Sequence, residues 1–311
     1  GVGGEYATST SFKMYGSGQT PFTDVASSTS FKTRFGFLYY PSVTVGTLST
    51  TPVGSQVDLS WGASTAESGW SVSGYNTGKA SVSGGPYTYT AVGNVTSYSY
   101  TELTPGQYCF VVQTLDALSN VIGTSNESCS TVSAVITFDL DTSVADAETD
   151  PTYSVSLGAI TTTDTRVSGS TDSINMIIAE ADTNATGGVI VTVRNNNGSN
   201  GLVSTSVVAD DIDSADGTIA GGTENYGLCV ITVGLSGFSR ASPYNSGACA
   251  TNSETNAIQG LTTTGESILN SSSSPVYSAH AEISVNAAIS NITPAHADYT
   301  DTLTFIATST I

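Results

Sequence analysis

The chain has 311 residues, with 7 lysines and arginines against 26 aspartates and glutamates and a net charge of −19 at pH 7. Such an acidic surface repels phosphate backbones and anionic lipid, which argues against nucleic acid or a membrane surface as a partner. No apolar run approaches the roughly 18 residues of a membrane-spanning helix, and the abundance of valine, threonine, tyrosine and isoleucine predicts an all-β protein.

Residues 1–41 differ from the rest of the chain in charge and in pattern. They hold three of the seven basic residues, namely Lys13, Lys32 and Arg34. The tetrapeptide Thr-Ser-Phe-Lys occurs at residues 10–13 and again at 29–32, and each copy opens an alternation of apolar and polar residues. This alternation is typical of a strand with one buried face. Two short strands cannot form a core alone, so the segment must pack on the rest of the chain or on another molecule.

The apolar side chains of these two stretches are the candidate contact residues of the segment. They are Phe12, Met14, Phe31, Phe35 and Phe37. We expect them to act as polymerisation anchors if the segment is a donor strand that enters the sheet of a neighbouring subunit. The competing interpretation is that residues 1–41 complete a sheet of their own chain, and the sequence leaves both open.

Residues 42–134 contain a second group of predicted strands. Residues 57–61 end in Trp61, residues 72–75 end in Tyr75, and residues 103–112 read Leu-Thr-Pro-Gly-Gln-Tyr-Cys-Phe-Val-Val. This pattern resembles a fibronectin type III domain. The resemblance implies a β-sandwich in which Trp61 and Leu103 fill the core and Tyr108 forms the tyrosine corner.

Four cysteines form two pairs with equal spacing. They are Cys109 and Cys129, then Cys229 and Cys249. The even count predicts two disulfides and an oxidising compartment, and the absence of a Cys-x-x-Cys motif argues against zinc. The midpoint of the first pair, Ser119, lies in a predicted hairpin tip, so this disulfide is expected to join the last two strands of the fibronectin-like domain. Gly1 follows no basic or apolar leader, which predicts a secreted, extracellular or cell-surface protein whose signal peptide has been removed.

Residues 135–311 form a third predicted region, a C-terminal β-sandwich or jelly roll of one or two domains. Strand-like runs occur at residues 135–141, 174–178, 188–194, 202–208, 226–233, 281–288 and 301–308. Polar, glycine-rich turns separate them. Residues 222–230 and 297–305 resemble secreted surface or filament-type proteins of environmental candidate-phylum bacteria. That resemblance implies a surface role and brings no active site.

Catalytic constellations are absent from the sequence pattern, so we expect that the protein is not an enzyme. His280 and His296 are the two histidines, and no Gly-x-Ser-x-Gly elbow accompanies the many serines. The acidic residues between 139 and 150 include pairs that glycoside hydrolysis would need, but both tryptophans lie in the fibronectin-like region. A solvated acidic loop is the simpler interpretation.

Calcium is the one cofactor that the sequence favours. Residues 210–217 place Asp211, Asp213 and Asp216 in one turn, and hard carboxylate ligands at this density suit Ca²⁺. The acidic stretch 139–150 is a second candidate. The alternative for both is a solvated loop with no cofactor.

Two functional hypotheses follow. The first is a structural subunit of an extracellular filament, pilus-like fibre or surface layer, in which copies of the chain form a homopolymer by β-strand addition through residues 1–41. The alternative is a cell-surface adhesin or carbohydrate-binding protein, whose partners would be surface glycans or host cell-surface proteins. An extracellular hydrolase has the least support.

Overall fold

The computed structural model describes residues 43–66, 71–245, 249 and 255–311 in full, together with the backbone of four short N-terminal strands. Within these residues the secondary structure is β-strand apart from one 3-10 turn, Gly198–Asn200, so the predicted all-β class is confirmed. The chain divides into two compact units, one of Gly1–Thr101 with Gly106–Val132 and one of Glu102–Pro105 with Ser133–Ile311.

The N-terminal strands form two separate antiparallel pairs. They are β1 (Gly4–Thr8) with β2 (Lys13–Ser17), and β3 (Val25–Ser27) with β4 (Lys32–Arg34). Among the described strands, each pair forms a two-stranded sheet of its own. The expected anchors Phe12, Phe31, Phe35 and Phe37 lie outside the described residues, as does the side chain of Met14.

The first unit contains a two-sheet sandwich. Its strands are β5 (Val43–Thr44), β6 (Leu48–Val53), β7 (Gln56–Trp61), β8 (Thr65–Ala66), β9 (Gly74–Ala80), β10 (Thr88–Gly93), β11 (Ser97–Tyr100), β12 (Gly106–Leu115), β13 (Val121–Thr124) and β14 (Ser128–Val132). One main sheet has the order β11-β7-β6 and the other β10-β9-β12-β13, with β14 also paired to β12, and β5 pairs with β8 in a small sheet of its own. This partition of the strands is that of a fibronectin type III-like sandwich.

Aromatic and aliphatic side chains fill this sandwich where the sequence pattern places them. Trp61 is 5% exposed and packs edge-to-face on Tyr75, with ring centroids 5.6 Å apart. Phe110 and Val112 point inward from β12 and are fully buried. On the other face of β12, Cys109 lies directly opposite Cys129 of β14, and the two form the expected cross-strand disulfide.

The second unit contains more strands in four sheets. They are β15 (Ile136–Ser143), β16 (Thr165–Val167), β17 (Met176–Thr183), β18 (Val189–Asn195), β19 (Leu202–Ser204), β20 (Asp211–Ile212), β21 (Gly217–Thr218), β22 (Asn225–Val230), β23 (Ser239–Arg240), β24 (Ala257–Ile258), β25 (Glu266–Asn270), β26 (Val276–Ala288), β27 (Tyr299–Thr300) and β28 (Leu303–Ser309). The main sheets have the orders β15-β17-β26-β16 and β23-β25-β18-β28, with β22 also paired to β26. Smaller sheets join β20-β19-β27 and β21-β24.

One buried core holds the two main sheets of this unit together. Ala179, Ala281 and Ile283 face it from β17 and β26, and Val191 and Leu269 face it from β18 and β25. The second expected disulfide, Cys229–Cys249, closes a separate small core beside β22. Across the described residues there is no helix with the length and hydrophobicity that a bilayer crossing requires.

The side chain of Asn184 forms hydrogen bonds with the backbone of two segments at the start of this unit, residues 102–105 and 133–135. It is fully buried, and its Nδ2 donates to the carbonyls of Leu103 and Ser133 at 3.0 Å each. Its Oδ1 accepts from the N–H of Val135 at 2.8 Å. All three bonds lie within the second unit, because Glu102–Pro105 belongs to it. A buried amide with this many partners is costly to remove, since each partner would stay buried and unpaired.

Asn184→Ala is therefore expected to lower the free energy of unfolding by about 3 kcal/mol, because three partners lose a hydrogen bond. Urea unfolding monitored by circular dichroism measures the change. The matched control is Asn200→Ala in the exposed 3-10 turn, which should change stability by less than about 0.5 kcal/mol. Equal stability of the two variants would contradict this role of Asn184.

Candidate functional site

Two edge strands of the second unit, β15 and β28, differ in how their open sides are protected. β15 ends one sheet and β28 ends the other, and the two strands approach each other. An edge strand presents main-chain N–H and C=O groups that no neighbouring strand occupies, and proteins protect such edges with charges, bulges or covering loops. The two edges differ sharply in this protection.

The main chain of β28 is open on one side. Thr302 and Thr310, which flank the strand, form backbone hydrogen bonds toward the β18 side. Backbone direction alternates along an antiparallel strand, so the N–H and C=O groups of four residues face away from β18: Leu303, Phe305, Ala307 and Ser309. None of these groups has a hydrogen-bond partner within the part of the chain that the structure describes.

The composition of β28 leaves this edge unprotected. From Leu303 to Ser309 the strand has no charged residue, proline or glycine. Leu303, Phe305 and Ala307 pack half-buried against the core, whereas Ile306 on the other face is 46% exposed. A long, uncharged edge of high β propensity is a template for pairing with another strand.

The β15 edge, in contrast, is protected by side chains. Its outward N–H groups at Leu140 and Thr142 donate to Asp139 Oδ1 and Thr149 Oγ1, at 2.9 and 3.0 Å. Asp139 and Asp141 add charge to the strand itself. In the first unit, β10 contains a register shift and β6 contains Pro52. Bulges and prolines both discourage pairing, whereas β28 has neither a register shift nor a proline.

An acidic face covers the outside of the β15 sheet. Asp139, Glu180 and His280 are direct cross-strand neighbours on β15, β17 and β26. Like charges directly opposite each other destabilise a sheet, so the Asp139–Glu180 pair depends on solvent and on neighbouring groups to reduce the repulsion. The ligand atoms of Asp139, Asp141 and Glu148 lie within 4.8 Å of one another, a spacing at which carboxylates can hold a hard cation.

Hydrogen bonds fix the middle of this acidic face. Asp141 is buried, and its Oδ1 accepts from the hydroxyl of Thr149 at 3.0 Å and from the N–H of Thr149 at 2.6 Å. The negative charge of Asp141, then that of Asp139, raises the pKa of the nearby Glu148 carboxyl. The face therefore concentrates negative potential at one exposed carboxylate.

His280 is the basic group of this face. Its Nε2 lies 2.9 Å from Asp146 Oδ1, and its Nδ1 lies 3.4 Å from the Gly234 carbonyl oxygen. Burial opposes the charged imidazolium, but the hydrogen bond and charge of Asp146, aided by Gly234 and Glu180, outweigh it and raise the pKa of His280. His280 is thus an ion-pair partner of Asp146.

The first calcium candidate of the sequence, residues 210–217, has other contacts than these. Asp216 Oδ1 accepts from the N–H of Gly260 at 2.9 Å and from Gln259, and burial together with Asp213 raises the pKa of Asp211. Asp211, Asp213 and Asp216 are not among the described groups whose ligand atoms converge within 4.8 Å. Calcium at this turn stays a prediction, as does calcium at residues 139–150.

His296 shows a second pairing that sequence reasoning missed. Its Nε2 lies 2.6 Å from Asp210 Oδ2, and its ring packs edge-to-face on Tyr299. The partners are 86 residues apart in the chain. No local sequence signal links such distant residues, because strand pairing alone brings them together.

Comparison with known proteins yields distant similarities only. No protein-family model and no curated protein matches the chain. An Fn3-like protein from Clostridium thermocellum is 28% identical over 29% of this chain and 92% of its own, with a TM-score of 0.24. A chain from a chaperone–tip adhesin complex of CFA/I fimbriae biogenesis is 11% identical over 85% of this chain and 80% of its own, with a TM-score of 0.30.

An α-L-rhamnosidase from Dictyoglumus thermophilum is 14% identical over 87% of this chain and 28% of the enzyme, with a TM-score of 0.23. All three similarities are weak at the level of the whole chain. The assignment of the first unit to a fibronectin type III-like sandwich therefore rests on its own strand order and core.

The raised pKa of His280 predicts a pH-dependent contribution to stability. A group whose pKa is raised on folding stabilises the fold below its unfolded pKa, about 6.5, and loses this effect as pH rises through the folded value. Asp146→Asn is expected to cost about 0.5 kcal/mol at pH 5, because the pair is solvent-screened, and almost nothing at pH 8. Thermal unfolding at both pH values measures this. Asp150→Asn, in the same loop, is the control without a histidine partner.

Calcium binding to the acidic residues is tested by isothermal titration of calcium chloride into the protein. Binding at the 139–150 group should weaken about tenfold or more in Glu148→Gln, because one carboxylate ligand is lost. Binding at the 210–217 turn should weaken instead in Asp213→Asn. If the titration of the parent protein shows no heat of binding, calcium binding at both groups of residues is excluded.

Proposed function

We propose that this protein is a structural subunit of an extracellular filament, pilus-like fibre or surface layer, assembled by β-strand addition through residues 1–41. The observation that carries the proposal is the pairing of the N-terminal strands. Among the described strands, β1 pairs only with β2, and β3 pairs only with β4. The sheets of both compact units form without these four strands. The described sheets of the two units are therefore complete without these strands, which supports a role for the segment in a neighbouring subunit.

An extracellular location is consistent with the covalent structure. Both cysteine pairs form disulfides, one in each compact unit, and no free cysteine occurs among the described residues. Disulfides persist in oxidising compartments. A disulfide that closes a loop of this size stabilises a domain by about 3 kcal/mol in the chain-entropy model. Such stability suits a subunit that is exposed outside the cell.

The alternating pattern of residues 1–41 supports a donor role. Strand addition takes main-chain hydrogen bonds from the sheet edge and specificity from alternate side chains that enter the core. The segment supplies phenylalanine at such alternate positions in its second stretch, Phe31, Phe35 and Phe37. Each buried phenylalanine contributes about 1.5–3 kcal/mol relative to exposure.

The test is assembly of the full chain at neutral pH and micromolar concentration, followed by electron microscopy and sedimentation. Phe31→Ser combined with Phe35→Ser should raise the concentration needed for assembly by about a hundredfold or more, because two apolar anchors are lost. Thermal unfolding of the two units should stay unchanged.

The matched control is Phe22→Ser, a phenylalanine of the same segment outside the two alternating stretches. It should assemble as the parent chain does. Dispersed monomers of the parent protein, or equal assembly of the double variant, would contradict the proposed function.

A glycan-binding adhesin is the second candidate, favoured by exposed tyrosines in the first unit. Tyr89 is 44% exposed and lies beside Tyr87, with ring centroids 6.2 Å apart. Adjacent aromatic rings on a surface are able to stack on sugars. Tyr75, by contrast, is buried in the core and has no surface to offer a sugar. Binding of the parent protein, but not of Tyr89→Ser, on a glycan array would support this candidate.

A further inference from the structure

We propose that the open edge of β28 is the acceptor in this assembly and that its occupant is the N-terminal segment, residues 1–41, of a second copy of the chain. The inference rests on the proposed function and names the strand that accepts the N-terminal segment. It follows from three properties of β28 and its surroundings: the free main chain, the apolar face and the charge of the unit that carries it.

The free main chain gives the acceptor its length and direction. Outward N–H and C=O groups recur at Leu303, Phe305, Ala307 and Ser309, without partners among the described residues. A strand laid beside β28 satisfies all of them in register, as β18 does on the other side. The acidic β15 edge offers no equivalent, because Asp139 and Thr149 already occupy two of its outward N–H groups.

The side-chain pattern of the donor matches the two faces of this sheet. Leu303 and Phe305 of β28 are half-buried against the core, and so are Phe138 and Leu140 of β15. An added strand directs alternate side chains to this same core. In residues 31–37 of the donor, phenylalanines alternate with Lys32, Arg34 and Gly36. The phenyl rings then extend the core, and the cations lie on the outer face.

Charge decides between the N-terminal segment and a symmetric β28–β28 pair. Residues 135–311 contain 19 acidic residues against three arginines, whereas residues 1–41 contain three basic and two acidic residues. Two C-terminal units that meet at β28 repel each other, and the N-terminal segment is attracted. A second copy therefore binds through its N-terminal segment. This contact is heterologous and does not close on itself, so repeated addition forms a filament.

The experiment joins two full-length variants that carry one added cysteine each. Thr308→Cys places a thiol on the exposed face of β28, and Lys32→Cys places one on the expected outer face of the donor. The two proteins are mixed at assembling concentration and treated with a short bismaleimide. Any product of twice the chain mass on a reducing gel is intermolecular, because each chain has a single reactive thiol.

The matched control replaces Thr308→Cys with Thr137→Cys, an exposed threonine on the other edge strand, β15. The expected result is at least tenfold more cross-linked dimer with Thr308→Cys than with Thr137→Cys. More product with Thr137→Cys would place the acceptor at β15 and overturn the inference. Cross-linking of Thr308→Cys protein with itself would show a symmetric β28 pair and overturn it as well.

A second pair of variants tests the edge without cross-linking. Ile306→Lys puts a charge on the exposed face of β28, a change that blocks strand addition at edges, and should raise the assembly concentration at least tenfold. Ile292→Lys changes an isoleucine that is 85% exposed outside the strands and should leave assembly unchanged. Circular dichroism of both variants verifies that they are folded.

The failures of the two proposals are distinguishable. One outcome is that Ile306→Lys forms filaments as well as the parent chain and that the cysteines at positions 308 and 32 do not cross-link. This outcome would leave the proposed function in place and would show that β28 is not the acceptor strand. A parent chain that stays monomeric would remove the proposed function. For a monomeric parent chain, the double variant with Thr308→Cys and Lys32→Cys in one chain is treated with the same bismaleimide. A cross-link within single chains would show that residues 1–41 cover the β28 edge of their own chain. That result would overturn the inference that a second copy supplies the strand.

Discussion

Main-chain hydrogen bonding between strands is the constraint on which every level of this protein depends. Its described residues contain one helical turn, so the polar backbone groups of a buried sheet are satisfied only by a neighbouring strand or by a side chain. Interior strands meet this requirement with neighbours on both sides: β26 runs for 13 residues, with β17 and then β16 along one side and β22 on the other. At the edge of a sheet, one side of the strand has no neighbouring strand, so the N–H and C=O groups on that side need another partner.

Side chains solve this problem at β15 and leave it open at β28. Thr149 and Asp139 bond to the outward N–H groups of β15, and Asn184 performs a similar task where the chain enters that strand. β28 has neither a charged residue nor a capping side chain along its seven residues. A soluble domain tolerates such an edge if another strand covers it in the assembled state. The proposed assembly would supply such a strand.

The acidic charge shapes how such an association takes place. The outer face of the β15 sheet places Asp139 opposite Glu180, and Glu148 experiences the charges of both Asp139 and Asp141. His280 offsets part of this repulsion through Asp146. The chain keeps a net charge of −19, and three of its seven basic residues lie in residues 1–41, so the proposed contact through this segment meets less repulsion than a contact between two acidic faces.

The sequence by itself determined the all-β class and the pairing of the four cysteines, because composition and short-range spacing carry this information, and the resemblance to a fibronectin type III domain implied the core around Trp61. It missed β25, where Ile268 and Leu269 are adjacent and both buried, so no alternation marks the strand. Only the tertiary structure decided that β28 is an edge and that Asp146 meets His280 across 134 residues. Strand order is set by packing between distant segments, and no local pattern encodes which strand is last in a sheet.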